Sequence, residues 1–316
     1  MSARRIVALS GGVGGAKLAD GLMRVLPRHT LTVVVNTGDD FRHLGLHISP
    51  DVDTVLYTLS GLANPETGWG RRDESWQFMQ ALESLGGETW FRLGDADLAM
   101  HIERTRRLES GEKLGSIVRD CAHRLGIRAE ILPMTDAPVR TRVDTNEGRL
   151  DFQDYFVRRQ CAPTVCGLRY EGAARAEPLH SAVAAIRTAA AIIICPSNPY
   201  LSIAPILAVP GLREALRDAE APVIAVSPLI NGAAVKGPTA KIMAELGLPV
   251  CAPEIARHYG DLIDGFILDE RDAALADQFD VPVSLADTLM KDIADRERVA
   301  RASLVFAERL RARVTA

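Results

Sequence analysis

The sequence predicts an α/β protein: a Rossmann-like, mostly parallel, doubly wound sheet carrying a largely helical insertion. Three observations lead there. Ile6 to Leu9 and Leu31 to Val35 are continuously apolar or β-branched, as strands covered on both faces are. Each run stops at a glycine-rich or polar turn, and Ala16 to Leu26 between them carries a helical apolar period. The same strand-then-turn grammar returns at Ala190 to Cys195 and at Val223 to Val226, so the β-turn-α-β opening is continued later in the chain.

Between these halves, Asp53 to about Leu125 is patterned for helices, with Thr89-Trp90-Phe91 the one short extended candidate; residues 55–125 are read as an insertion. Arg140 to Val143 and Leu150 to Phe152 alternate about an Asn146-Glu147-Gly148 turn and predict a hairpin. Leu285 to Val314 is charged and periodic, and predicts one or two closing helices. No repeat or linker divides the chain, so residues 1–316 are read as one domain.

With 47% hydrophobic residues, the 316-residue chain is long enough to bury a large core, and disorder is not expected. A net charge of −4 offers no broad surface for nucleic acid or an anionic membrane, so any phosphate partner is expected to be small and gripped locally. Cys121, Cys161, Cys166, Cys195 and Cys251 lack C-x-x-C spacing and read as reduced, structural thiols in the cytoplasm. Arg4-Arg5 before an apolar run resembles the start of a leader, but glycines interrupt it too early; the 189–195 run is too short to span a bilayer.

Ser10-Gly11-Gly12-Val13-Gly14-Gly15-Ala16-Lys17 lies where the first strand gives way to a helix. Backbone N–H groups of Gly11, Gly12, Gly14 and Gly15 could there approach a diphosphate, favoured by the helix N-terminus. The string is not a Walker A loop, since Leu18 follows Lys17. As a dinucleotide fingerprint it has Lys17 in place of the third glycine. A tight turn without a ligand is the plainer alternative, and Lys17 reads equally as a phosphate contact or a solvated helix residue.

The second strand ends in Asn36-Thr37-Gly38-Asp39-Asp40, and Asp51-Val52-Asp53 follows just before a helical stretch. One aspartate could cap that helix, but capping needs one side chain and here are four. Clustered carboxylates opposite a phosphate loop suit Mg²⁺ bridging protein and phosphoryl oxygens, which makes at least two of Asp39, Asp40, Asp51 and Asp53 expected members of a metal or catalytic site. The acid after strand two also admits a nicotinamide oxidoreductase, although no hydride-transfer site is evident.

Together with these strings, Leu93 to Ala99, Pro133 to Asp136, Pro138 to Thr141, Cys195 to Pro199 and Lys236-Gly237-Pro238 resemble the 2-phospho-L-lactate transferase (CofD-like) family of coenzyme F(420) biosynthesis. The resemblance spans most of the chain. It implies transfer of a phospho-acid (phospholactyl, phosphoenolpyruvyl or phosphoglyceryl) from a guanosine diphosphate-linked donor to the ribityl hydroxyl of the deazaflavin Fo, with release of GMP. It also implies Mg²⁺ positioned by Asp40, Asp51 or Asp53, which are the catalytic candidates as well, places the nucleotide near Asn198 and Ser202, and makes the insertion the wall of the acceptor pocket.

Asp97, His101 and Arg104 share one helix face and could line that pocket, and Trp76 and Met134 are candidate walls for a flat ring. Each has a bland counterpart: a surface ion pair, plain core, or a turn former at Asn198. Relatives of this fold also resemble nucleotide-sugar-binding regulators without transferase activity, against which the Thr37-Gly38-Asp39-Asp40 and Asp51-Val52-Asp53-Thr54 pair speaks. Neither nucleic acid nor membrane is expected as a partner, and a homodimer is compatible with the sequence.

Overall fold

The structure is a computed structural model describing residues 5–314; Arg4, half of the basic lead-in, lies outside that range. β1 (Ile6–Ser10) and β2 (Leu31–Val35) are buried at every position. Their continuous apolarity is explained by the two cores they serve: Val7 and Leu9 point into one, Ile6 and Ala8 into the other. α1 (Gly12–Val25) links them and starts earlier than the apolar period alone suggests, because Gly14 and Gly15 belong to its first turn. Gly12, at φ +64°, turns the chain from strand to helix within one residue.

β3 (Phe41–His43) and β4 (Leu46–Ile48) form a small antiparallel hairpin that the sequence reading missed; three residues per strand are too few for a period to register. α2 (Pro50–Leu59) follows, then α3 (Gln77–Ser84), α4 (Asp95–Glu109) and α5 (Leu114–Arg124), so the insertion is helical as expected. Thr89-Trp90-Phe91 is not a strand. Trp90 and Phe91 instead pack on Phe41, with Phe91 edge-on at 4.8 Å, so their β-forming character serves an aromatic cluster.

β5 (Glu130–Pro133) returns the chain to the main sheet. β6 (Arg140–Thr145) and β7 (Gly148–Asp151) make the expected hairpin, and β8 (Val165–Glu171) completes a three-stranded antiparallel sheet on the other edge of β6. The second half runs through α6 (His180–Arg187), β9 (Ala191–Ile194), a wide turn at Pro199–Ile203, α7 (Ala204–Leu207) and α8 (Leu212–Arg217). It continues with β10 (Val223–Val226), the short pair β11 (Leu229–Ile230) and β12 (Ala233–Ala234), α9 (Thr239–Glu245), and α10 (Ala252–Tyr259). β13 (Gly265–Asp269), β14 (Val283–Ala286) and a single closing helix, α11 (Ile293–Val314), end it.

The main sheet has the order β14-β13-β10-β9-β1-β2-β5, with every neighbouring pair parallel. From β1 the chain first builds outward through β2 to β5, then crosses to β9 on the other side of β1. The order therefore reverses between β1 and β9. α1 and α11 pack closely over one face, where a Cβ on Gly21 would lie 2.2 Å from the Arg296 carbonyl oxygen. Among the described residues no helix is long and apolar enough to cross a membrane.

Candidate active site

Loops leaving the carboxyl ends of adjacent parallel strands diverge where strand order reverses, and open a crevice there. Here the two loops are Ser10 to Gly12 after β1 and Cys195 to Ser202 after β9. The Gly11 N–H donates to Ser197 Oγ at 3.1 Å across them. A Cβ on Gly14 would meet the Pro196 carbonyl oxygen at 2.4 Å, and one on Gly15 would meet Ser197 Oγ at 2.3 Å. These two glycines thus let α1 lie directly against the β9 loop, a packing role that the sequence reading did not separate from phosphate binding. The helix start still presents main-chain N–H groups that have no intrahelical acceptor.

Asp51 occupies the mouth of this helix start. Its Oδ1 accepts the Gly12 N–H at 2.6 Å and its Oδ2 accepts from Asn36 Nδ2 at 2.9 Å. Burial pushes its pKa up to about 6, against hydrogen bonds from Asn36, Gly12 and Ser202 that favour the carboxylate. Neither Asp51 nor Asp53 caps its own helix: Ser49 is the N-cap of α2, and Asp51 reaches across to α1 instead. Asp39 is also buried, and burial together with the charges of Asp51 and Asp40 raises its carboxyl well above the usual range.

Asp40 accepts from Ser49 Oγ at 2.9 Å and lies 3.0 Å from His47 Nε2, both through Oδ2. Its Oδ1 is buried with no partner among the described residues. Asp53 differs: both of its oxygens are bonded to the buried guanidinium of Arg104, which makes it the counter-ion of that arginine in this arrangement. Despite opposing burial, the Asp53 charge and hydrogen bonds hold the Arg104 guanidinium more firmly protonated than usual. His101 lies 3.1 Å from Asp97 and 3.7 Å from Asp53, and the Tyr57 hydroxyl donates to Asp97 at 2.5 Å. Asp97, His101 and Arg104 are thus brought together, as their spacing predicts, but they form a buried polar seam against α2 rather than an open pocket wall.

The remaining candidates separate. Lys17 is half-buried on α1 with its ammonium donating to the Met290 carbonyl at 2.6 Å, so its charge is tied to the segment before α11. Its pKa is lowered by burial, then by Arg296 and Lys236. Met134 has no exposed surface and sits in the main core, where it is no wall for a ligand. Trp76 is partly exposed in a small satellite core with Arg92 stacked 4.1 Å over its ring. Asn198 Oδ1 accepts from the Tyr200 and Leu201 N–H groups, the turn-forming alternative, while Ser202 reaches Asp51.

Sequence reasoning missed Asn36 and Ser197, which tie the acidic loop and the β9 loop to the glycine turn. Their position just past the ends of buried strands was the available signal. It also missed a cavity of about 260 Å³ beside Asp39 and Asp40, walled by Phe41, Arg42, Arg140, Thr141, Arg142 and Phe152 among others. Among the described residues no three of His, Cys, Asp and Glu form a ready metal cage. Mg²⁺ in nucleotide enzymes needs only one or two carboxylates beside substrate phosphates, and the orphaned Asp40 Oδ1 with the nearby Asp51 suits that pattern.

A polar crevice edged by carboxylates, at the place where a parallel sheet reverses its order, defines the ligand site of a doubly wound α/β enzyme. Comparison with known proteins narrows the class. Residues 6–301 match the family described as 2-phospho-L-lactate transferase CofD, and the chain belongs to that family of transferases. It is 39% identical to a phosphoenolpyruvate transferase of Streptomyces griseus, over 98% of this chain and 100% of the relative. It is 42% identical to a 2-phospho-L-lactate transferase of Methanopyrus kandleri, over 97% of this chain and 98% of the relative. A crystal structure of a UPF0052-family protein from Bacillus halodurans shares the fold, with a TM-score of 0.62 at 16% identity over 95% of this chain and 99% of that one.

Proposed function

We infer that this chain transfers the phospho-acid group of a guanosine diphosphate-linked donor to the ribityl hydroxyl of the deazaflavin Fo and releases GMP. The family and the names of its relatives support the transferase chemistry and the phospholactyl or phosphoenolpyruvyl class of group. One observation carries the reading further: Asp51 accepts from the Gly12 N–H at the N-terminus of α1, and Asp39 and Asp40 lie close enough to act on it or on each other electrostatically, beside the switch point where a diphosphate would lie.

In this reading the Val13 and Gly14 N–H groups in the first turn of α1 hold diphosphate oxygens, those of Gly11 and Gly12 being taken by Ser197 and Asp51, and Ser202 and Asn198 lie on the nucleotide side. Asp40 and Asp51 would hold Mg²⁺, whose charge would offset that of the phosphates beside the aspartates. Asp53 stays fixed by Arg104 and keeps the acidic loop in register. The ribityl oxygen attacks the acid-side phosphorus, the bond from that phosphorus to the bridging oxygen breaks, GMP leaves with that oxygen, and the hydroxyl proton passes to a carboxylate of the acidic loop that does not hold the metal.

Incubating the purified protein with Mg²⁺, Fo and each of the three donors, followed by mass spectrometry of the deazaflavin, tests the reading. A mass gain matching one acid, with stoichiometric GMP, is the expected result. Folded protein that yields no gain with any donor refutes it.

A further inference from the structure

The cavity beside Asp39 and Asp40 is bounded by three arginines whose charges are differently spent. Arg142 pairs with Asp151 and Glu171. Arg42 lies 3.7 Å from Glu109 on the exposed rim. Arg140 has no carboxylate partner among the described residues, and its guanidinium donates only to its own neighbour's carbonyl, that of Val139, at 3.0 Å. Beside it the Thr141 hydroxyl is buried and lacks any hydrogen-bond partner.

The backbone makes this wall rigid. The Thr141 N–H donates to the Gly38 carbonyl at 2.6 Å, which fastens the start of β6 to the acidic loop. Arg140 and Thr141 therefore stand at a fixed offset from Asp40. Phe41 and Phe152 close the sides, and both rings are already engaged, Phe41 with Phe91 and Phe152 stacked on Phe156 at 5.3 Å. A volume of about 260 Å³ suits a three-carbon acid with its phosphate.

We propose that Arg140 binds the carboxylate of the transferred phospho-acid in this cavity and so determines which end of the donor faces Asp40. A planar guanidinium fork matches a carboxylate, and a charge-assisted bidentate pair orients it. The assignment rests on the transferase reading above, because it takes the acid from that reaction. Arg140 is here a specificity-determining residue, and it takes no proton in the transfer.

The test uses the full chain and phosphoenolpyruvate, with methyl phosphate as the carboxylate-free control, in ligand-observed NMR titrations. Wild type is expected to bind phosphoenolpyruvate more tightly than methyl phosphate. Arg140→Gln should weaken the former by about tenfold or more and leave the latter unchanged, and Arg140→Lys should fall between. In turnover, Arg140→Gln should raise the KM for the donor and leave that for Fo unaltered. Equal binding of phosphoenolpyruvate by wild type and Arg140→Gln, or a raised KM for Fo alone, overturns the assignment. Inactive wild type that still binds phosphoenolpyruvate through Arg140 would sink the transferase reading and keep this site. Active wild type with an unaltered donor KM in Arg140→Gln would do the reverse.

Discussion

Asp53→Leu leaves the Arg104 guanidinium buried without its counter-ion. Arg104 cannot shed its proton, so the folded state must carry an uncompensated charge. Breaking a buried pair from one side costs about 3–5 kcal/mol, and this pair is bidentate and buried at both ends. Arg104→Met strands the Asp53 carboxylate between His101 and Tyr57 and is expected to cost a similar amount. Removing both charges in Asp53→Leu with Arg104→Met replaces the pair by packing and should cost no more than about 2 kcal/mol. The coupling energy is therefore at least about 4 kcal/mol in favour of the pair. Urea unfolding of the four proteins, followed by circular dichroism, measures it. A coupling below about 1 kcal/mol would mean that water reaches the pair and that the buried seam described here is wrong.

Other expectations are independent of that pair. Asp51 titrates near 6 in the folded chain against 3.8 for an ordinary aspartate, so its stabilising contribution is complete below the lower value and lost as pH rises through about 6. Wild type should lose about 3 kcal/mol over that window from this group, and Asp51→Asn should lack that slope in urea titrations at successive pH values. Gly14→Ala forces a Cβ against a backbone carbonyl 2.4 Å away and should lower stability by about 1–3 kcal/mol, seen as a reduced Tm; an unchanged Tm would deny the close approach of α1 to the β9 loop. Met134→Ala should cost about 2–5 kcal/mol and leave the KM for Fo unaltered, whereas a selective rise in that KM would restore it as a pocket wall. Asp40→Asn should abolish turnover with the urea midpoint little changed, and retained kcat would remove its role in the transfer.

Four strands of the main sheet, β1, β2, β9 and β10, were legible because strands covered on both faces run almost wholly apolar or β-branched, whereas β5 and the equally buried β13 were not read. β3, β4 and β14 were not, since short strands with mixed burial carry too little pattern to stand out from loops. At the site, the glycine and aspartate strings were visible as strings, but their division of labour was not. Asp51 and Asp53 are two residues apart, yet one faces the α1 start and the other a buried arginine on α4, because two steps along a helix turn a side chain to a different side. Lys17 and Met134 show the same limit: spacing locates a residue on an element, and only packing says what its far end meets.

The bond from Gly11 to Ser197 joins positions 186 residues apart, and the β1–β9 pairing it sits on is equally remote in sequence. A ribosome adding roughly 5–20 residues each second needs on the order of ten seconds or more to deliver the second half of that crevice after the first. During that interval the nascent chain can dock β2 and β5 but must leave one edge of β1 unpaired, a bare backbone ladder open to mispairing. High contact order at this crevice thus makes early translation the period of greatest expected aggregation risk, and chaperone protection most valuable before Ile194 emerges.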